Sequence, residues 1–427
     1  MPNLSHPSRR QFLTAATATL AIPTILPRSV FGANERIVTG HIGVRNQGTA
    51  NLKAFLDPKL TTLVSPAAMC DVDSRHLKTA IEIVEKSREK KKCDGYDDYR
   101  KVLDRKDIDA VVISTPDHWH ALMEIHACQA GKDVYCEKPL SLTIREGRQM
   151  VEAARANNRI VQTGSQQRSS PGFREVCELV RSGRIGKVQK VLVGIPKVNF
   201  EGDALPDSAP PTYLNYDRWL GPALYRPYNS KRVHYLFRFF WDYSGGQMTN
   251  FGAHNIDIAQ WGLGTDDTGP ISTEATATFD PQHKFEVPNS CRVTHTYANG
   301  VTLIIGQDQP DIRGGTTFIG TDGTLFVDRS KKTSTPSTIL KTPLSEGDVH
   351  LYESTNHYQN FLDCVKSRKT PICDVEIGHR SATICHLGNI AIRLGRKVQW
   401  DPAAERIIGD DEAAAMASRP HRSPYTI

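Results

Sequence analysis

The 427-residue chain has no apolar run long enough to span a bilayer, so a permanent transmembrane helix is not expected. It has little excess charge. The net +6 includes Arg9, Arg10 and Arg28 in the first 33 residues, a segment without Asp or Glu, which leaves about +3 for the remainder. That is too small an excess to argue for a nucleic-acid partner. No C-x-x-C pair occurs among the nine cysteines, an odd count, and few or no disulfides are expected. Cys70, Cys128 and Cys136 stand in apolar surroundings and read as buried free thiols. Internal repeats and low-complexity linkers are also missing. What remains is ordinary globular composition, 39% hydrophobic and 23% charged, with enough length for two domains. The basic run Arg88-Glu89-Lys90-Lys91-Lys92 reads as a solvated helix end.

The N-terminus carries Ser8-Arg9-Arg10-Gln11-Phe12-Leu13, then a mildly apolar, Ala- and Thr-rich stretch to Leu26, Pro27 and small residues near Gly32-Ala33. This resembles a twin-arginine (Tat) export signal, a route that carries folded proteins, often with cofactor bound. Residues 1–33 are therefore read as the signal and the protein as periplasmic. Cleavage is expected near Ala33, with an uncleaved membrane anchor as the alternative. Export after folding would also explain free thiols in an exported chain.

Beyond the leader, strand and helix patterns alternate. Arg36 to Ile42 is β-rich, and Ala50 to Leu56 begins a helix. Leu60 to Cys70 is a second strand region, and Ser74 to Lys92 has Leu77, Ala80, Ile81 and Val84 at helical spacing. Asp109 to Ser114 and Asp133 to Cys136 are short continuous apolar runs of the kind buried on both faces of a parallel sheet. Helices are expected at Ala121 to Ala130 and Ile144 to Asn157, and a sixth strand at Ile160 to Gly164. This predicts an α/β fold, with a doubly wound parallel (Rossmann) sheet over residues 34–165. From about Gln166 the pattern changes. β-rich segments at Thr273 to Phe279, Ser290 to Tyr297, Val301 to Gly306 and Thr316 to Asp328 predict a large, mainly antiparallel sheet. Helices at Asn356 to Lys366 and Arg380 to Leu394 should cover one face of it. Residues 166–427 are thus read as an α+β domain for substrate binding and oligomerisation.

The first βα turn is Gly43-Val44-Arg45-Asn46-Gln47-Gly48, a G-x-G-x-x-G pattern with its middle glycine replaced by Arg45. Arginine there either displaces a cofactor outward or adds a charge-assisted phosphate contact. Asp71, ending the next strand, is placed to accept hydrogen bonds from an adenosine ribose, which favours NAD over NADP. Asp73 reads more simply as a helix N-cap.

Two later strand ends should open on the same crevice: Ser114-Thr115-Pro116-Asp117-His118-Trp119-His120 and Tyr135-Cys136-Glu137-Lys138-Pro139. The strings STPDHWHAL and GKDVYCEKPLS resemble the glucose–fructose oxidoreductase, inositol dehydrogenase and MocA-like (Gfo/Idh/MocA) family, and the resemblance runs over essentially the whole chain after the leader. It implies NAD(P) contacts at Asn46, Gln47, Asp71, Thr115, His120, Glu137 and Lys138, with Gly43, Arg45, Gly48, His118 and Gln166 around them. It also implies a proline, Pro139, that is typically cis, and a lysine, Lys138, beside nicotinamide and substrate. The chemistry suits Lys138, because oxidising an alcohol sends a hydride to nicotinamide and a proton to a base.

Gly245 to Asp257 resembles the family's G-G-x-x-x-D-x-G-x-H-x-x-D segment. His254 is then a candidate general acid/base or substrate ligand, and Asp257, one helical turn on, its orienter. Asn250 stands where sugar dehydrogenases of the family often carry Asp, which shifts proton handling onto Lys138 and His254. Substrate contacts are expected from Arg168, Trp241, Tyr243, Asn250, His254 and Asp257, within a segment also holding Tyr213, Trp219, Tyr225, Tyr228, Tyr235, Arg226, Arg232 and Arg238. No metal is expected, because the His254/Asp257 pair lacks a third ligand. Glu376, His379 and Arg380 read as a surface helix start. The resemblance implies a homo-oligomer, dimer or tetramer, through the outer face of the C-terminal sheet. The reading is an NAD(P)-dependent oxidoreductase acting on a sugar, polyol or derivative. The alternative is an NAD-dependent glycosidase of the same fold, whose exported members commonly lose the lysine retained here.

Overall fold

The computed structural model describes residues 36–87 and 92–427, so the leader and Arg88 to Lys91 lie outside the described residues. The first sheet takes its hydrophobic content from short, mostly buried runs, with Ala110–Ile113, Asp133–Cys136 and Val161–Thr163 buried along their whole length. Its strands are β1 (Ile37–Ile42), β2 (Val64–Cys70), β3 (Asp94–Tyr96), β4 (Ala110–Ile113), β5 (Asp133–Cys136) and β6 (Val161–Thr163), all parallel in the order β3-β2-β1-β4-β5-β6. The chain reverses direction across the sheet between β1 and β4, where a doubly wound sheet opens a crevice at its carboxyl edge. Helices α1 (Gln47–Phe55), α2 (Ser74–Ser87), α3 (Tyr99–Leu103), α4 (His120–Gln129) and α5 (Ile144–Ala156) connect the strands. The start of α5 is set by Thr143 and Glu146, which cap each other's backbone N–H groups across the first turn. The expected strand over Leu60 to Cys70 is shorter in the structure, because 58–63 form turns before Val64. The three-residue β3 was not anticipated.

The second sheet has nine strands among the described residues: β7 (Val188–Ile195), β8 (Ser272–Thr278), β9 (Ser290–Thr296), β10 (Thr302–Gln307), β11 (Gly315–Gly320), β12 (Thr324–Val327), β13 (Lys332–Thr335), β14 (Val398–Asp401) and β15 (Arg406–Ile408). It is antiparallel except for the β7–β10 pair. The single run expected over Thr316 to Asp328 is a hairpin, reversing between Gly320 and Thr324. Helices Pro171–Arg181, Gly252–Leu263 and Val375–Leu394 contribute to one apolar core with this sheet, around Val191, Val193, Ile256, Val293, Phe318 and Ile384. Residues 36–427 form one compact unit. All nine cysteines are buried, as small core hydrophobes. No helix of the described residues is long and apolar enough to cross a membrane.

Candidate active site

A cavity of about 670 Å³ opens along the carboxyl edge of the parallel sheet. At one end lies Asp71, at the other Lys138, Asn250 and His254. Arg45, Asn46, Gln47, Thr115, Glu137 and Gln166 line it between them.

The turn after β1 is built around a close approach. Gly43 has φ +77°, and a Cβ there would fall 2.8 Å from the Ser114 backbone. A Cβ on Gly48 would fall 1.9 Å from the Gly43 carbonyl, so Gly48 packs the helix onto the turn and does not line the cavity. The second positive φ falls on Asn46, at +49°, and Arg45 keeps an ordinary backbone. Arg45 needs no glycine geometry, and its exposed side chain donates to His76 Nε2 at 2.6 Å. No side chain caps α1, so apart from Gly48 N, which donates to Arg45 O at 2.9 Å, its leading N–H groups are left for a pyrophosphate. Asp71 accepts from Val44 N (3.0 Å) and Asp73 N (2.9 Å), which fixes its carboxylate at the cavity edge. An uncapped helix start, a glycine cradle and a strand-end acid together fit an NAD-type dinucleotide.

Asp73 caps α2 as expected, accepting from Arg75 N at 3.0 Å. With His76 and His234 it brings one ligand atom each within 4.8 Å, a grouping sequence spacing did not suggest. Two members of this triad are engaged by guanidinium groups, His76 by Arg45 and Asp73 by Arg75. No cation is assigned there.

Midway along the cavity, Glu137 is a hub. Its Oε1 accepts from Asn51 (2.9 Å), Gln166 (3.1 Å) and Gln47 (3.3 Å). His120 is buried behind the lining. Its Nδ1 lies 2.8 Å from the Pro139 carbonyl and its Nε2 2.9 Å from the Thr115 carbonyl, so the ring ties together the two loops that do line the cavity. His118 is also behind the wall, with Nε2 3.0 Å from Trp219 O and its ring 5.3 Å from those of Trp219 and Tyr243. Burial holds its pKa down at about 4. Neither histidine reaches the cavity, which corrects the expectation that His118 and His120 contact cofactor. The 3₁₀ turn Asp117–Trp119 turns both rings inward.

At the reaction end, the Lys138 ammonium donates to Asn250 O (2.9 Å) and Oδ1 (3.1 Å). Burial is the main cause lowering its pKa to about 8; Glu137 and Asp117 oppose the shift, while Arg238 and Arg329 add to it. His254 is buried with no partner for Nδ1 among the described residues. Its pKa lies well below the usual value, through burial first and then through Lys138 and Arg329, so the ring is neutral. Gln167, its amide oriented to satisfy both neighbours, donates to His254 O (2.9 Å) and accepts from Arg329 Nε (3.2 Å). Phe251 sets its ring edge-on to His254, at 6.4 Å.

Four expected substrate residues lie elsewhere. Asp257 is fully buried and does not orient His254, because its carboxylate pairs with Arg168 (Nε–Oδ2 2.8 Å, Nη2–Oδ1 2.9 Å) and accepts from Ser381 (2.9 Å). Arg168, 1% exposed, also pairs with Asp266 and so serves as a structural joint. Tyr243 is 0% exposed and packs 4.9 Å from Trp219 in an aromatic core that gains more by burial than by facing water. Trp241 faces a separate crevice beside Arg393 and Arg419. Glu376, His379 and Arg380 are likewise not a plain surface helix start. They meet Arg148 and Glu405 in an ion-pair network, with His379 fully buried. Cavity residues that sequence reasoning missed include Tyr99, Arg329, Phe251 and Tyr425, the last arriving from the C-terminal tail against Trp119.

This geometry agrees with comparisons to known proteins. An uncharacterized oxidoreductase of Bacillus subtilis, YrbE, is 25% identical over 340 residues, covering 76% of this chain and 89% of its own. The alpha-N-acetylgalactosaminidase of Shewanella oneidensis is 29% identical over 235 residues, 49% of this chain and 47% of its own, so the match spans less than half of that relative. The aldose-aldose oxidoreductase of Caulobacter crescentus, solved with glycerol, shares the fold at a TM-score of 0.62 and 18% identity, covering 86% of this chain and all of its own. The model for the oxidoreductase family's NAD-binding Rossmann fold matches residues 37–165, and that for its C-terminal alpha/beta domain matches residues 173–427. Nearly all of the described chain falls within these two matches, and it belongs to the Gfo/Idh/MocA oxidoreductase family.

Proposed function

We propose that the protein is an NAD-dependent dehydrogenase that oxidises a hydroxyl of a sugar, polyol or sugar derivative, or reduces the matching carbonyl. The observation that carries this reading is Lys138, an amine lowered to about 8 at the end of a dinucleotide-shaped cavity, beside a neutral buried histidine. Bound nicotinamide supplies the hydride chemistry. Gln47, Glu137 and Gln166 would hold its half of the cofactor, and Asp71 the adenosine ribose, where an acid supports NAD over NADP. Lys138 takes the hydroxyl proton when neutral and returns it when charged. Asn250 fixes the Nζ position, since an amide oxygen accepts a hydrogen bond but does not take the proton. His254 lines the same end of the cavity and would contact the substrate through the part of its ring that faces it, Nδ1 itself being buried.

The test is to isolate the protein, release and identify any bound nucleotide, and screen sugars and polyols for NADH absorbance. Absence of both bound and bindable nucleotide refutes the reading. The partial match to the galactosaminidase supports a second reading, redox-neutral glycoside cleavage. Release of a chromogenic aglycone without net NADH would establish it. Retention of Lys138 favours the dehydrogenase.

We also propose export through the twin-arginine route, on the strength of Arg9-Arg10 and the mild apolar stretch after them. Replacing both arginines by lysine should leave a reporter fused to the leader in the cytoplasm. The same reading includes self-association through the outer face of the nine-stranded sheet, which light scattering checks.

A further inference from the structure

The substrate end of the cavity has more cations than the proton-transfer chemistry needs. Lys138, Arg238 and Arg329 line it, against two carboxylates, Glu137 and Asp117. Glu137 is already held by three amide donors. Asp117 is buried, accepts from Ser244 at 2.5 Å, and is pushed by burial toward its neutral form. Neither guanidinium has a carboxylate partner in the described structure. Arg238 Cζ lies over the Tyr235 ring, 4.0 Å from its centroid, and its Nη1 donates to Tyr235 O at 2.7 Å. Arg329 rests over the Phe251 ring and spends Nε on Gln167. Stacking and a carbonyl bond orient a guanidinium but leave its charge unbalanced; Arg238 is half-buried and Arg329 exposed, so both charges stay open to an anionic ligand entering the cavity they line. The pyrophosphate does not account for the pair, since its site is the start of α1 beside Arg45.

We propose that Arg238 and Arg329 form an anion clamp, and that the substrate is a sugar bearing an oxyanion, a carboxylate or phosphate, rather than a neutral sugar or polyol. The planar guanidinium fork suits both groups, since each presents paired oxygens. The clamp lies beside Lys138, so it holds the charged group while a neighbouring hydroxyl meets the amine. This assignment rests on the dehydrogenase reading and narrows its substrate class.

The experiment is calorimetric titration of NAD⁺-saturated protein with matched pairs: glucose and glucuronate, galactose and galacturonate, glucose and glucose 6-phosphate. The expected result is that at least one acid sugar binds about tenfold or more tighter than its neutral partner. The gap should narrow as salt is raised. Arg238→Gln and Arg329→Gln should each remove most of the preference, and Arg238→Lys should retain part of it. NAD⁺ binding on the same preparations reports that each variant is folded. The carboxylate and phosphate arms show which oxyanion fits. Equal affinities within every pair, no binding of any acid sugar, or a preference that survives both substitutions overturns the clamp. NADH formed from neutral sugars with no acid preference overturns the clamp alone. Failure to bind nucleotide removes the dehydrogenase reading beneath it.

Discussion

Lys138 Nζ donates to two oxygens of one residue, the backbone carbonyl and the side-chain amide of Asn250, at 2.9 and 3.1 Å. Asn250 in turn donates to Gln247 Oε1 at 3.0 Å, and Gln247 donates to Lys197 O, so the amide is oriented from behind. The amine is therefore held by neutral acceptors. With no carboxylate at position 250 to favour the ammonium, burial dominates and its pKa falls to about 8. The neutral amine is the proton acceptor, so sugar oxidation should rise as pH passes through about 8 and then level off. Asn250→Asp should move that midpoint upward by about one pH unit or more, because a carboxylate stabilises the charged amine. Lys138→Met should lower turnover by about 100-fold or more and flatten the profile while nucleotide still binds. A pH–rate series on the three proteins checks this, and an unmoved midpoint in Asn250→Asp refutes the assignment.

His120 works at one remove from the chemistry. Its two ring nitrogens lie against the carbonyls of Pro139 and Thr115, which belong to different cavity loops. Losing the ring that bridges them, with hydrogen bonding worth roughly 1 kcal/mol, should let the loops separate. His120→Ala is expected to raise the KM for NAD about tenfold and change kcat less. His120→Gln, which can restore one bond, should fall between. A kcat loss with KM unchanged would instead place His120 among the reacting groups.

The parallel sheet was legible because its central strands are short runs buried on both faces and closed by a turn, as at Ala110–Ile113 and Asp133–Cys136, whereas the edge strand Asp94–Tyr96 is not buried and left no such signal. Lys138 was legible for the same reason, since a strand end in this sheet points to the crevice. Asp257 was misread. It lies one turn from His254, but the helix Gly252–Leu263 is buried on nearly every side, so spacing does not say which neighbour a side chain meets. Arg168 meets it from the opposite flank. Tyr243 and Trp241 looked like a sugar platform by composition, yet composition does not separate an aromatic core from an aromatic cleft. Arg329 and Tyr425 left no local signal, because only the fold brings the turn after β12 and the C-terminal tail to the cavity.

Glu124 on α4 is fully buried. One oxygen accepts from Cys128 Sγ at 3.2 Å and the other has no partner among the described residues. Burial raises its pKa from 4.5 to about 8. The folded state keeps a proton that the unfolded chain has lost, so stability should fall as pH rises from about 4.5 to about 8 and then level off. Glu124→Gln should remove this loss, with a gain on the order of a few kcal/mol at pH 8 and almost none near pH 4. Thermal unfolding across that window checks the slope, and parallel curves for the two proteins refute it.

The Arg168–Asp257 pair predicts a stability defect where a substrate role would predict a binding defect. Arg168→Met strands the Asp257 carboxylate, 0% exposed, with only Ser381 to donate to it, and should cost about 3–5 kcal/mol. Adding Asp257→Leu should recover most of that, because an apolar pair of similar volume avoids the desolvation of both charges. Asp266 is 28% exposed at its side chain and can turn to water once Arg168 is gone. Urea midpoints of the two single variants and the double variant measure the coupling. Sugar and nucleotide affinities of the double variant should stay within a few-fold of the parent, since neither side chain lines the cavity. A double variant that is stable but no longer binds sugar would return Arg168 and Asp257 to the substrate site.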